Sequence, residues 1–115
     1  MTTDKDLLQH RRDLDEHGFA IVPGALSPSE VVDVRQKLYR AIESSEADGV
    51  PTRGYPFDPD LHNQRIFHLF NLDPVFIDLI QQQAAIEFVH HLLGDDFLIS
   101  NFSANITEPG NQPMQ

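Results

Sequence analysis

A chain of 115 residues with an apolar share of 40% is sized for one small domain, residues 1–115, with a modest core. Its 8 Lys and Arg against 18 Asp and Glu give a net charge of -10 with no basic block, which speaks against nucleic-acid backbones and anionic membrane surfaces as partners. The absence of cysteine excludes disulfides, thiolate nucleophiles and zinc-thiolate sites, and an acidic N-terminus with no membrane-length apolar run makes a cytosolic (cytoplasmic) location the expectation.

Thr3 and Asp6 stand at capping-box spacing, Leu7, Leu8 and Leu14 fall toward one side, and Gly18 is a suitable stop. They predict a helix from about Asp4 to His17. Its charged residues, Arg11, Arg12, Asp13, Asp15 and Glu16, read as a solvated face with local ion pairs. Phe19 to Val22 is too short for a helix and too apolar for a loop, and reads as a brief buried strand closed by Pro23-Gly24.

The second helix is announced by Ser27 and Glu30 as a reciprocal cap, Pro28 at the first helical position, and Leu26 in place to staple onto Val31. Val31, Val34, Leu38, Ala41 and Ile42 keep helical spacing and should lie on a core, with the helix fading near Ser44-Ser45. From Asp48 to Asn63 the residues Gly49, Pro51, Gly54, Pro56 and Pro59 are too closely spaced for a regular element. Two readings of this loop stand side by side: a lid whose aromatic pair Tyr55 and Phe57 closes over a neighbour, and a mobile connector. Arg65 to Leu72 fits a strand and a helix start equally.

Asp73-Pro74 opens a short helix through Phe76, Leu79 and Ile80. Ala85, Phe88, Val89, Leu92 and Leu93 then repeat with helical period up to Gly94. Phe97 to Thr107 alternates, with Leu98, Ser100, Phe102, Ala104 and Ile106 on one face and Asn101, Ser103, Asn105 and Thr107 on the other. A long strand is expected there, its polar face lining a pocket or meeting solvent.

Six histidines call for a metal test. None has Asp or Glu two positions later, so a facial-triad iron motif is absent, as is His-Glu-x-x-His. Asp60 with His62, and the His90-His91 pair, read as adventitious binders; His68 reads as a core or rim histidine. Phosphate loops and serine-nucleophile motifs are also missing.

The order of these motifs resembles the phytanoyl-CoA dioxygenase family. The resemblance begins with His17-Gly18-Phe19-Ala20-Ile21-Val22-Pro23-Gly24-Ala25-Leu26-Ser27, continues through Leu92-Leu93-Gly94-Asp95-Asp96, and runs from Asn105 to Gln115. It implies an α+β fold in which N-terminal helices and a short strand lead into the first strands of an incomplete double-stranded β-helix, a cupin-like jelly roll. It further implies the N-terminal part of a non-haem iron(II), 2-oxoglutarate-dependent dioxygenase acting on a small-molecule substrate. In that family the His-x-Asp pair, a second histidine and a cosubstrate arginine come later than the residues given. The chain alone is therefore expected to carry no catalytic residue or metal ligand, to bind neither Fe(II) nor 2-oxoglutarate, and to be inactive. Ser103, Asn105 and Gln115 are the candidates for contacting 2-oxoglutarate or substrate, and Tyr55, Phe57 and Arg65 for framing the substrate entrance. The alternative is a small acidic helical module that binds a protein partner through its exposed strand. A fragment should also self-associate through that strand.

Overall fold

The computed structural model describes residues 3–110. In chain order these form α1 (Asp4–His17), α2 (Pro28–Ala47), β1 (Asn63–Ile66), a 3-10 turn (Leu69–Asn71), α3 (Pro74–Ile80), α4 (Gln83–Leu93) and β2 (Ala104–Thr107).

The first two helices start where their caps dictate. In α1 the Asp6 amide donates to Thr3 Oγ1 at 3.2 Å and the Thr3 amide to Asp6 Oδ2 at 3.1 Å. Those bonds from Thr3, side chain first, hold the Asp6 carboxyl below its ordinary value. Gly18 takes the left-handed φ of 81° that returns its amide to the Leu14 carbonyl. In α2 the same exchange links Ser27 and Glu30 at 3.2 and 3.1 Å. This helix continues past Ser44-Ser45 to Ala47, because Ser45 turns inward and is buried and nothing breaks the helix before Asp48-Gly49.

β1 and β2 are antiparallel, with Asn63 opposite Thr107, Gln64 opposite Ile106, Arg65 opposite Asn105 and Ile66 opposite Ala104. Alternation turns Ile66, Ala104 and Ile106 to the core and puts Asn63, Arg65, Asn105 and Thr107 on the other face. Among the described residues Ala41, Ile42, Ile66, Leu69 and Phe76 are the buried apolar ones, so α2, α3, β1 and the 3-10 turn share one core. Phe102 closes it with its ring edge-on to Phe76, centroids 6.4 Å apart. No helix among the described residues is long and apolar enough to cross a membrane.

Four expectations are corrected. Phe19 to Val22 is not a buried strand: β1 and β2 pair with each other, the segment has no strand beside it, and Phe19 and Ile21 are exposed. Val31 of the α2 stripe is exposed as well, in the first turn of the helix, whereas Val34 and Leu38 pack on the core. The final strand spans only Ala104–Thr107, because β1 offers four residues to pair with; Leu98, assigned to the buried face, is 94% exposed. Finally, Arg11 and Asp15 are not confined to a solvated face. Arg11 donates to Glu87 at 3.1 Å, His91 Nε2 lies 2.9 Å from Asp15, and His10 meets the Phe88 ring edge-on, so α1 is fastened to α4. Alternation in burial does persist from Phe102 to Thr107, the apolar residues half-buried and Ser103, Asn105 and Thr107 exposed.

Candidate functional site

The site grows from β1 and the loop that precedes it. The Arg65 amide points away from β2 and donates to the Thr52 carbonyl at 2.7 Å, so residues 50–52 cover the outer edge of the sheet. Behind that edge the Thr52 hydroxyl donates to Glu46 at 2.6 Å, and the Gln64 amide donates to both Thr52 Oγ1 and Glu46 at 3.1 and 3.2 Å. Thr52 and Gln64 are buried, and these bonds satisfy polar groups that would otherwise be stranded.

Asp58 fastens the rest of the loop. Only 3% exposed, it accepts from Arg65 Nε at 2.5 Å and from Asn63 Nδ2 at 3.1 Å. The Arg65 hydrogen bond first, and then that from Asn63, hold its carboxyl below the usual carboxylate range. The Asp58 amide donates back to the Tyr55 carbonyl at 2.9 Å, a tight turn that stacks Tyr55 and Phe57 with centroids 5.2 Å apart. Phe67 meets both rings edge-on, and the Arg65 guanidinium lies 5.5 Å from the Phe57 centroid, within cation-π range. The Asp48 to Asn63 loop is therefore fastened to the sheet, which is at odds with a loose connector.

Tyr55, Phe57 and Arg65, grouped in the sequence as candidates for framing an entrance, lie in one assembly. Asn105 faces Arg65 in the strand register, and Ser103 is exposed immediately before β2. Gln115 lies outside the described residues. Beside the assembly is a cleft of about 410 Å³, walled by Val50, Pro51, Tyr55, Arg65, Phe67 and His68 and continued by Asn71 and Leu72. His68 is exposed at its rim, which excludes a core place. Its φ of 59° is the sole positive value for a non-glycine among the described residues, a conformation that costs roughly 1–2 kcal/mol in an L-residue.

Asp58, Thr52 and His68's backbone were not legible as site features. A single Asp between Phe57 and Pro59 carries no pattern, and the Thr52, Glu46 and Gln64 network draws on separate segments. The doubtful metal pairs resolve differently. Asp60 Oδ1 sits 2.9 Å from both the His62 amide and its Nδ1, while His90 and His91 diverge to Asp95 and Asp15. Among the described residues no group of three or more His, Asp or Glu is arranged to hold a metal ion, so they do not fit an iron centre.

Against known proteins, the chain is 41% identical over 101 residues to the protein named Dioxygenase af480 of Aspergillus fumigatus. The match takes in 88% of this chain and 33% of that protein, so the chain spans about one third of the length of this curated relative. No protein-family profile matches the chain, and no solved structure matches it significantly.

Proposed function

We propose that this chain is the N-terminal part of a non-haem iron(II), 2-oxoglutarate-dependent dioxygenase resembling the phytanoyl-CoA dioxygenase family, in which it forms one wall of the substrate entrance. The observation that carries the reading is the 41% identity, spread over 88% of the chain, to a protein named a dioxygenase and about three times as long. The antiparallel β1 and β2 pair, with Arg65 and Asn105 aligned on its polar face, is compatible with the opening strands of a cupin-like jelly roll. On this reading the barrel is completed by residues outside those described, and the same residues hold Fe(II) and 2-oxoglutarate, since the described ones offer no metal site.

What this chain's residues contribute is positional. Asp58 fixes the Arg65 guanidinium beside the Phe57 ring, and the Tyr55, Phe57 and Phe67 cluster gives the entrance an apolar lip that sheds water. Asn105 and Ser103 extend the polar face toward the cosubstrate side. The chain alone is catalytically silent on this reading, cytosolic, and prone to self-association through bare apolar residues such as Leu98 and Ile99, 94% and 58% exposed.

The test is to translate the reading frame beyond Gln115, express the whole product, supply Fe(II) and 2-oxoglutarate, and measure succinate release. Iron-dependent succinate from the longer product and none from the 115-residue chain is the expected result. A stop codon directly after Gln115 in the native locus, or no succinate from a well-folded longer product, would sink the proposal.

A further inference from the structure

Resting on the reading that Tyr55, Phe57 and Arg65 frame a substrate entrance, we infer that the adjoining cleft takes an uncharged, largely apolar small molecule bearing one hydroxyl or carbonyl oxygen, and rejects polyanionic conjugates of it. The cleft's volume of about 410 Å³ falls in the ~300–1,000 Å³ range of small-molecule sites. Val50, Pro51, Ile66, Phe67 and Leu72 supply its walls, and all are apolar.

The polar groups around it are mostly committed elsewhere. The Tyr55 hydroxyl donates to the Pro51 carbonyl at 2.5 Å, the Thr52 hydroxyl to Glu46, and the Arg65 charge is matched by the buried Asp58. Arg65 is the one Lys or Arg among the lining residues. A ligand carrying several phosphates would approach this chain of net charge -10 at a cleft whose one lining cation is already matched by Asp58. What is left to meet a polar atom is the Ser45 hydroxyl in the cleft wall and, on the rim at the 3-10 turn, the pair His68 and Asn71, where the backbone holds His68 in the left-handed conformation. Strained residues of this kind concentrate at ligand sites, and here the strained residue borders the cleft. One oxygen at His68 and Asn71, with an apolar body lying along Phe67 and Leu72, matches the polar rim and the apolar walls of the cavity.

The experiment is a titration of the ¹⁵N-labelled chain with 1-octanol, octanoate and octanoyl-coenzyme A, followed through amide shifts. Saturable octanol shifts at Val50, Tyr55, Phe67 and His68, with octanoyl-coenzyme A at least tenfold weaker, are expected. Leu72→Glu should weaken octanol at least tenfold while leaving the circular-dichroism melt in place, and Val50→Glu repeats the test if Leu72→Glu fails to fold. Equal or tighter binding of the coenzyme A ester, or octanol shifts scattered over Leu92, Leu93 and Leu98 instead, would overturn the inference. The readout needs neither iron nor cosubstrate, so it stands or falls separately from succinate release: a longer product that turns over while its cleft ignores octanol loses this inference alone.

Discussion

Replacing Phe76 by alanine should remove a large part of the stability of this domain. Among the described residues Phe76 is the one large side chain whose exposure falls to 1%, and it ties α3 to the segment leading into β2 through its edge-on contact with Phe102 at 6.4 Å. Burial of the ring atoms at ~25 cal/mol per Å² accounts for about 3 kcal/mol. The aromatic pair adds ~0.5–1.5 kcal/mol, and the residual cavity brings the total into the ~3–5 kcal/mol range of core Phe→Ala changes. A domain of this length commands roughly 6–17 kcal/mol, and with so few buried apolar residues the low end applies. In urea, with a slope of ~1–3 kcal/mol per M, the far-UV circular-dichroism midpoint should fall by roughly 2 M. Phe102→Ala and the double variant would isolate the ring-ring coupling, and Leu98→Ala, at a 94% exposed position, should change stability by less than ~0.5 kcal/mol. A Phe76→Ala loss below ~1 kcal/mol, with an unchanged slope, would refute the assignment of the core.

Two further outcomes follow from the loop and the turn. The folded Asp58 carboxyl titrates below its unfolded value, so its contribution is complete above about pH 4 and disappears as pH falls through the lowered folded value; stability-versus-pH curves should show this acid loss in the native chain and a shallower one in Asp58→Asn, and parallel curves would disprove the role given to Asp58. His68→Gly should raise stability by up to ~1 kcal/mol, since glycine accepts a φ of 59° without steric penalty; a lowered melting temperature would mean that the imidazole itself packs usefully.

Helix starts were legible because their chemistry is local. Thr3 with Asp6 and Ser27 with Glu30 each close a ring of bonds within one turn, so α1 was bounded from sequence at Asp4 and His17. Strand extent was not legible, because a period of two shows which residues share a face and not whether a partner exists; the alternation of Phe97 to Thr107 runs well beyond the four residues that β1 pairs. Phe19 to Val22 failed for the same reason. Arg11 and Asp15 have same-helix partners available in the sequence and so read as solvated, whereas their partners in the fold, Glu87 and His91, lie 76 residues away. The aromatic and arginine assembly was half legible: prolines around Tyr55 and Phe57 marked an unusual loop, but its anchor, Asp58, and the left-handed turn at His68 depend on contacts that only folding creates.

The pairing of β1 with β2 also sets a delay during synthesis. The two strands are separated by about forty residues that include α3 and α4. Closing a loop of that length costs about 3 kcal/mol of chain entropy before any ladder bond repays it. A ribosome adding ~5–20 residues per second leaves β1 waiting roughly 2–8 s for its partner to be made. Through that interval Ile66 and the inner edge of β1 have no sheet to join, while α1 and α2 can already coil and the Asp58 to Arg65 bond, spanning 7 residues, can already close. The loop clasp therefore needs nothing made after β1, and the aromatic lip can be assembled on a strand that is still single.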